Sequence, residues 1–147
     1  MSTQSSDTPL YSIGTASRIL GISVQTLRLY ENEGLIAPHK SSGGHRLYSD
    51  ADLERVRCLR KAINEEKISI GGIKRIQGMI PCWQIIGCPA EQRDACPAFR
   101  NHAGGCWTYK HEHSVCASKE CRLCEVYKLS SDCGKVRDLI IRSTVHP

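Results

Sequence analysis

Apolar residues in the first half of the chain recur at helical spacing. Ile13, Ala16, Ile19 and Leu20 are set three, three and one apart between Ser12 and Gly21. That is a short amphipathic helix with a serine cap at its start and a glycine at its end. Ser23 caps the next helix almost at once, with Val24 and Leu27 turned inward and Gly34 closing it. Helix, glycine turn, helix predicts a helix-turn-helix. Leu35, Ile36 and Ala37 lead through Pro38 to Lys40-Ser41-Ser42-Gly43-Gly44, and His45-Arg46-Leu47-Tyr48 follows. Two extended pieces about a Ser/Gly tip predict a hairpin, a wing, with Leu47 on one face and Arg46 and Tyr48 near its ends. Ser49, with Asp52 three residues on, comes close to a capping box for a third helix carrying Leu53, Val56, Leu59 and Ile63. Ser69 opens a fourth, with Ile70, Ile73, Ile76 and Ile80 inward.

The pattern breaks at Pro81. Residues 82–127 show little periodicity, and Pro follows both Cys88 and Cys96. The only later helical candidate runs from Ser131 to Arg142, with Val136, Leu139 and Ile140 as its apolar face. The expected fold is therefore mainly α. A disordered N-terminus covers 1–9 and a winged helix-turn-helix of four helices and a β-hairpin covers 10–80. A small cysteine-rich, metal-stabilised module covers 81–127, and a short C-terminal helix and tail cover 128–147.

Composition narrows the function classes. The chain has 147 residues, 40% hydrophobic, enough for one ordinary domain or two small ones. No run of 18 apolar residues occurs, which predicts no membrane span. Met1 to Pro9 carry neither a basic nor an apolar signal region, so a cytoplasmic location is expected. A net charge of +5 permits nucleic acid as a partner. Of nine cysteines, one, Cys58, precedes Pro81 and eight lie between Cys82 and Cys133. In a reduced compartment such clustering points to a bound metal rather than to disulfides. Cys58, among Leu53, Val56 and Leu59, reads as an inert buried thiol.

The string Ser23-Val24-Gln25-Thr26-Leu27-Arg28-Leu29-Tyr30-Glu31, then Glu33-Gly34-Leu35-Ile36, then Gly44-His45-Arg46-Leu47-Tyr48-Ser49, resembles the MerR family of bacterial transcription regulators. The resemblance runs from about Tyr11 to Ile80. Residues 64–76 are similar to the heat-shock and glutamine repressor branch. It implies a winged helix-turn-helix, a homodimer, and double-stranded promoter DNA bearing an inverted repeat, with RNA polymerase as a prospective partner there. Many members distort an over-long promoter spacer to activate; repression is the commoner mode in this branch. The second helix turns Gln25, Thr26 and Arg28 away from Val24 and Leu27. Gln and Arg suit bidentate contact with adenine and guanine edges, and Thr26 can reach a phosphate or a thymine methyl. By resemblance Arg28, Tyr30, Arg46 and Tyr48 fall at DNA-contact positions, the wing pair gripping phosphates. Both tyrosines also suit core packing. Lys40 and His45 flank the wing tip, His45 standing where many members carry Tyr. Lys74 and Arg75 read as a solvated face. Many members continue into a long helix that pairs with its partner; here Pro81-Cys82-Trp83 intervenes, leaving dimerisation to the short last helix, the cysteine module or the DNA.

The cysteines are spaced Cys82-x5-Cys88-x7-Cys96-x9-Cys106-x9-Cys116-x4-Cys121-x2-Cys124-x8-Cys133, with Cys-Trp at 82–83 and 106–107. The repeat resembles a small two-CW type of module found in bacterial signalling proteins. Thiolates are soft ligands, so zinc, an iron–sulfur cluster and copper(I) are the candidates. A zinc ribbon usually has two tight C-x2-C pairs and this chain has one. Cys116-x4-Cys121-x2-Cys124 matches the plant-type ferredoxin spacing, with the fourth ligand to come from Cys133 or Cys106. The C-x2-C-x-C pattern of the SoxR-type branch is absent. Eight thiols allow two four-thiolate sites, and the spacing leaves their grouping open. His102, His111 and His113 are additional candidates. Trp83 and Trp107 either shield sulfur or fill a small core.

The expected function is a DNA-binding regulator whose cysteine-rich module reports metal or redox state. The alternative is an excisionase-like architectural factor with a purely structural zinc. An enzyme is not expected: no paired carboxylates, phosphate loop or nucleophilic triad accompanies the cysteines, and Cys121-x2-Cys124 lacks the βαβ context of a thiol oxidoreductase.

Overall fold

The computed structural model of the protein describes residues 6–101, 104–109, 116 and 120–130. Four helices follow the predicted capping signals: α1 (Ile13–Leu20), α2 (Val24–Asn32), α3 (Asp50–Asn64) and α4 (Ile70–Gly78). Ser12 and Ser23 accept from the backbone N–H groups of Thr15 and Thr26 at 3.2 and 3.1 Å. Gly21, at φ +68°, sends its N–H back to Ser17 and Arg18 carbonyls, so α1 ends where a left-handed residue is needed. The wing is β2 (His39–Lys40) paired antiparallel with β3 (Arg46–Tyr48). A third strand, β1 (Tyr11–Ser12), completes a sheet of order β1-β3-β2. Two residues are too short to leave a period-two signal, so the sequence predicted a hairpin alone.

The core gathers Ala16, Leu27, Tyr30, Leu35, Ile36, Tyr48, Leu53, Val56, Leu59 and Ile73. Ile76, expected inward, is 37% exposed. The inward stripe of the short α4 is taken instead by Ile73 and Gln77, continuing to Ile80. At the start of α3 the capping box is complete: Ser49 Oγ accepts from Asp52 N–H at 3.1 Å, and the Asp52 carboxylate accepts from Ser49 N–H at 2.9 Å. Both residues are buried. Ser49→Ala is expected to cost about 1–2 kcal/mol, at the upper end for a cap, because the orphaned N–H cannot turn to water. A urea unfolding midpoint unmoved by the change would refute that role.

Beyond Pro81 the chain forms α5 (Cys82–Ile86), α6 (Ala90–Arg93), α7 (Pro97–Asn101), 3-10 turns at Cys106–Thr108 and Cys121–Leu123, and α8 (Glu125–Leu129). α5 packs on α8, and α7 packs on the Cys106–Thr108 turn. Trp83 meets Phe99 edge to face at 4.9 Å between ring centroids. The expected helix of 131–142, together with Cys133, His102, His111 and His113, lies outside the described residues. α8 crosses the boundary expected between 127 and 128.

Two expectations are corrected here. Residues 6–9 are tied down rather than disordered. Ser6 C=O accepts from Ala51 N–H at 2.9 Å, Asp7 C=O accepts from Arg122 at 2.9 Å, and the Asp7 carboxylate pairs with Lys128 at 2.7 Å. Cys58 is disulfide-bonded and half-buried, not an inert buried thiol. It sits at the margin of the apolar face of α3, between exposed Arg57 and buried Leu59, where another sulfur can reach it. The other seven described cysteines are in no disulfide. Among the described residues no helix is long and apolar enough to cross a membrane.

Candidate nucleic-acid interface and thiol site

α2 presents Gln25, Arg28, Leu29 and Asn32 to solvent, while Leu27 and Tyr30 point into the core. Positions i, i+3, i+4 and i+7 share one face of a helix, so these four side chains form a single outward stripe. Leu29 is 44% exposed. The sequence reading passed over it and Asn32, although the same periodicity that buries Leu27 and Tyr30 exposes them. Thr26 is half-buried, and its hydroxyl lies 2.9 Å from that of Ser23, so much of its capacity is spent on the cap. Lys40 and His45 are exposed on the wing. The wing tip closes through Ser41 N–H to His45 C=O at 2.8 Å and through Gly44 at φ +83°.

Arg46 is half-buried, and its Nε donates to both Glu31 oxygens at 2.8 and 3.0 Å. The hydrogen bond and charge of Glu31 hold the guanidinium pKa above its ordinary value. Glu31 thus ties the wing to α2 and occupies one edge of the predicted phosphate-gripping arginine. Tyr30 and Tyr48 are corrected from DNA contacts to core residues, 2% and 0% exposed. Tyr30 stands one helical turn after Leu27, and the strand pleat turns Tyr48 inward. The Tyr48 hydroxyl is buried without a hydrogen-bond partner among the described residues, and burial pushes its pKa up. Lys74, read as plainly solvated, pairs with Glu33 at 3.2 Å, whereas Arg75 is exposed.

The cysteine-rich half is docked on the segment that joins α2 to the wing. Trp107 Nε1 donates to Gly34 C=O at 2.7 Å, and Ala37 N–H donates to the Tyr127 hydroxyl at 2.8 Å. Gly34 has φ +76°, and a Cβ there would lie 2.5 Å from Thr108 Cγ2, so glycine is required for the turn and for the contact. At the centre sits Arg55 of α3, 1% exposed. Its Nε donates to Leu35 C=O at 2.8 Å, and its Nη1 donates to Tyr127 C=O and Ser130 Oγ at 2.9 and 2.6 Å. The guanidinium also lies over the rings of Trp107 and Tyr127, 4.7 and 3.9 Å from their centroids. Burial lowers its pKa from the ordinary arginine value. Nothing in the local pattern singled out this arginine among the several of α3. Trp107 therefore contacts the turn after α2 rather than only filling a small core.

The thiols line two adjoining cavities. Cys106, Cys116, Cys121 and Cys124, with Ile86, Trp107 and Tyr127, line one small cavity. Cys82, Cys88 and Cys96, with Trp83, Phe99 and Arg93, line a neighbouring one, to which Cys106 and Cys116 also contribute. Cys106 donates a hydrogen bond to Cys82, which lowers the Cys82 pKa and raises that of Cys106. Burial, with help from neighbouring thiols, pushes Cys116 up to about 11 and raises Cys88 and Cys121. Among the described residues no three His, Cys, Asp or Glu side chains converge as they would on a single metal ion. Of the eight cysteines expected as ligands, the seven described line two overlapping cavities.

The family described as MerR HTH family regulatory protein matches residues 11–79. HspR of Streptomyces coelicolor, named as a heat shock protein, is 41% identical over 70 residues, 48% of this chain and 46% of its own. The HTH-type transcriptional regulator TnrA of Bacillus subtilis is 48% identical over 50 residues, 34% of this chain and 46% of its own. The HTH-type transcriptional activator TipA of Streptomyces coelicolor is 47% identical over 47 residues, 31% of this chain and 19% of its own. The chain spans less than half the length of each of these relatives. No solved structure matches.

Proposed function

The chain carries a MerR-family helix-turn-helix domain over residues 11–79, and from that premise we propose that the protein is a DNA-binding transcription regulator that seats α2 in the major groove of a promoter. Each copy of a homodimer reads one half of an inverted repeat, with RNA polymerase as the neighbour on the same DNA. The observation that carries this reading is the outward stripe Gln25, Arg28, Leu29 and Asn32 beside a wing bearing Lys40, His45 and Arg46. Amide and guanidinium groups suit base edges, an exposed leucine suits a thymine methyl, and wing cations suit phosphates. Tyr30 and Tyr48 hold this surface from beneath.

The cysteine-rich half reports metal or redox state to that surface. Support comes from its docking: Trp107, Arg55 and Tyr127 reach Gly34, Leu35 and Ala37, the residues between the recognition helix and the wing. Ligation at sulfurs next to Trp107 and near Tyr127 in sequence bears on the angle between α2 and the wing. Two half-sites must fit at once, so a small change of angle alters promoter fit twice.

Footprinting on promoter DNA with the intact chain tests both parts, with the thiol-bound group present and then stripped without oxygen. Protection of two half-sites centred about one helical turn or a multiple apart is expected. Affinity or the pattern of DNA distortion should change by several-fold on stripping. Identical footprints in the two states would leave DNA binding standing and reduce the cysteines to a structural role, as in an architectural factor. No protection at any promoter would defeat the reading.

A further inference from the structure

We propose that Cys106, Cys116, Cys121 and Cys124 are the four ligands of an iron–sulfur cluster held against Trp107 and Tyr127. The inference rests on the reading that the cysteine-rich half holds a metal or redox group, and it names that group and its ligands. Four sulfurs line one cavity, and its other walls are Ile86, Trp107 and Tyr127. Among the described residues the lining holds no carboxylate or imidazole, so these donors are all soft.

Donor type and cysteine spacing favour a cluster over one ion. Structural zinc needs four sulfurs each about 2.3 Å from a common centre. No three ligand groups among the described residues converge in that way. A cluster brings its own core of iron and sulfide, and its ligands stand apart around that core. In the two-iron form each iron takes only two protein thiolates.

The backbone supports the same four. Cys121 opens a 3-10 turn whose end returns Cys124 N–H to Cys121 C=O at 3.0 Å, so this close pair is presented by one turn. Cys106 opens another 3-10 turn and Cys116 lies on the segment between them. The x4 and x2 spacing of Cys116, Cys121 and Cys124 left the fourth ligand open between Cys133 and Cys106; Cys106 shares their cavity, and Cys133 lies outside the described residues. The neighbouring cavity has three thiols of its own, and a guanidinium, that of Arg93, enters its lining. Cys82, Cys88 and Cys96 line only that second cavity and stand outside the set, Cys82 meeting it through its hydrogen bond with Cys106.

The test uses the full chain, purified without oxygen and reconstituted with ferrous iron and sulfide. A brown protein is expected, with iron and acid-labile sulfide in equal amounts, as either a [2Fe–2S] or a [4Fe–4S] centre requires. A paramagnetic signal should appear in one of its oxidation states. Cys121→Ser and Cys124→Ser should each lower bound iron and sulfide by about fivefold or more, whereas Cys88→Ser should leave both within about twofold. Far-UV circular dichroism of each variant checks that the helices remain. Colourless protein holding roughly one zinc per chain overturns the proposal. So does loss of iron in Cys88→Ser as complete as in Cys124→Ser. Promoter affinity measured on the same samples keeps the two readings apart. A cluster whose removal leaves affinity and DNA geometry unchanged defeats only the sensing role. A colourless zinc protein whose affinity responds to metal removal defeats only the cluster.

Discussion

Arg55→Met is expected to destabilise the folded chain by about 3–5 kcal/mol, the largest effect of any single substitution in α3. The guanidinium donates to the carbonyls of Leu35 and Tyr127 and to the Ser130 hydroxyl from a site 1% exposed. Methionine fills much of the space but donates nothing. Two buried carbonyls lose a charged donor, at about 1–3 kcal/mol each, and contact with the faces of Trp107 and Tyr127 loses its cation. Against these stands the relief of desolvating a charge, which keeps the net below the sum. Arg55→Lys should rescue little, because one ammonium cannot serve Nε and Nη1 partners that lie in different directions. Thermal or urea unfolding measures the loss. Tryptophan emission should shift to the red as Trp107 leaves Gly34, before the helices of the winged half melt. A loss under about 1 kcal/mol, or an unshifted emission, would show that the two halves do not depend on this arginine.

That arginine also marks the limit of what the sequence discloses. Helix starts were legible because serine capping is local: Ser12, Ser23, Ser49 and Ser69 each bond within three residues. The ends at Gly21 and Gly34 were legible for the same reason, a backbone angle that favours glycine. Burial of Arg55 is decided by Leu35, Tyr127 and Ser130, which lie 20, 72 and 75 residues away, and no window on α3 contains them. Tyr30 and Tyr48 were ambiguous because a phenol suits a core and a phosphate equally; packing resolved them inward. Glu31 escaped notice because a carboxylate on a DNA-facing helix has a role only once Arg46 is across from it. In the second half, cysteine type and spacing raised the expectation of soft-ligand chemistry. The grouping of the sulfurs, however, depends on how α5, α8 and two 3-10 turns meet.

Arg28→Ala is expected to weaken binding to the cognate promoter more than any other substitution on the outward stripe of α2. Arg28 is exposed at the middle of that stripe, and no shape change in the core accompanies its removal. A bidentate arginine–guanine contact contributes about 1–3 kcal/mol of discrimination. On the proposed homodimer and inverted repeat the loss counts twice, so the promoter should bind about 2–6 kcal/mol more weakly, while non-specific DNA changes far less. Arg46→Ala should behave otherwise. It removes the phosphate contact proposed for the wing, so affinity should fall on all sequences alike and the salt slope should shrink by about one per protomer. It also strips Glu31 of its partner and leaves a carboxylate facing the phosphates. Glu31→Gln gives the converse, removing that carboxylate while Arg46 keeps its charge, and should tighten binding at low salt. Titrations of the three variants against promoter and scrambled duplexes at several salt concentrations separate these cases. If Arg28→Ala and Arg46→Ala both left promoter occupancy where it was, α2 and the wing would not be the DNA-reading surface.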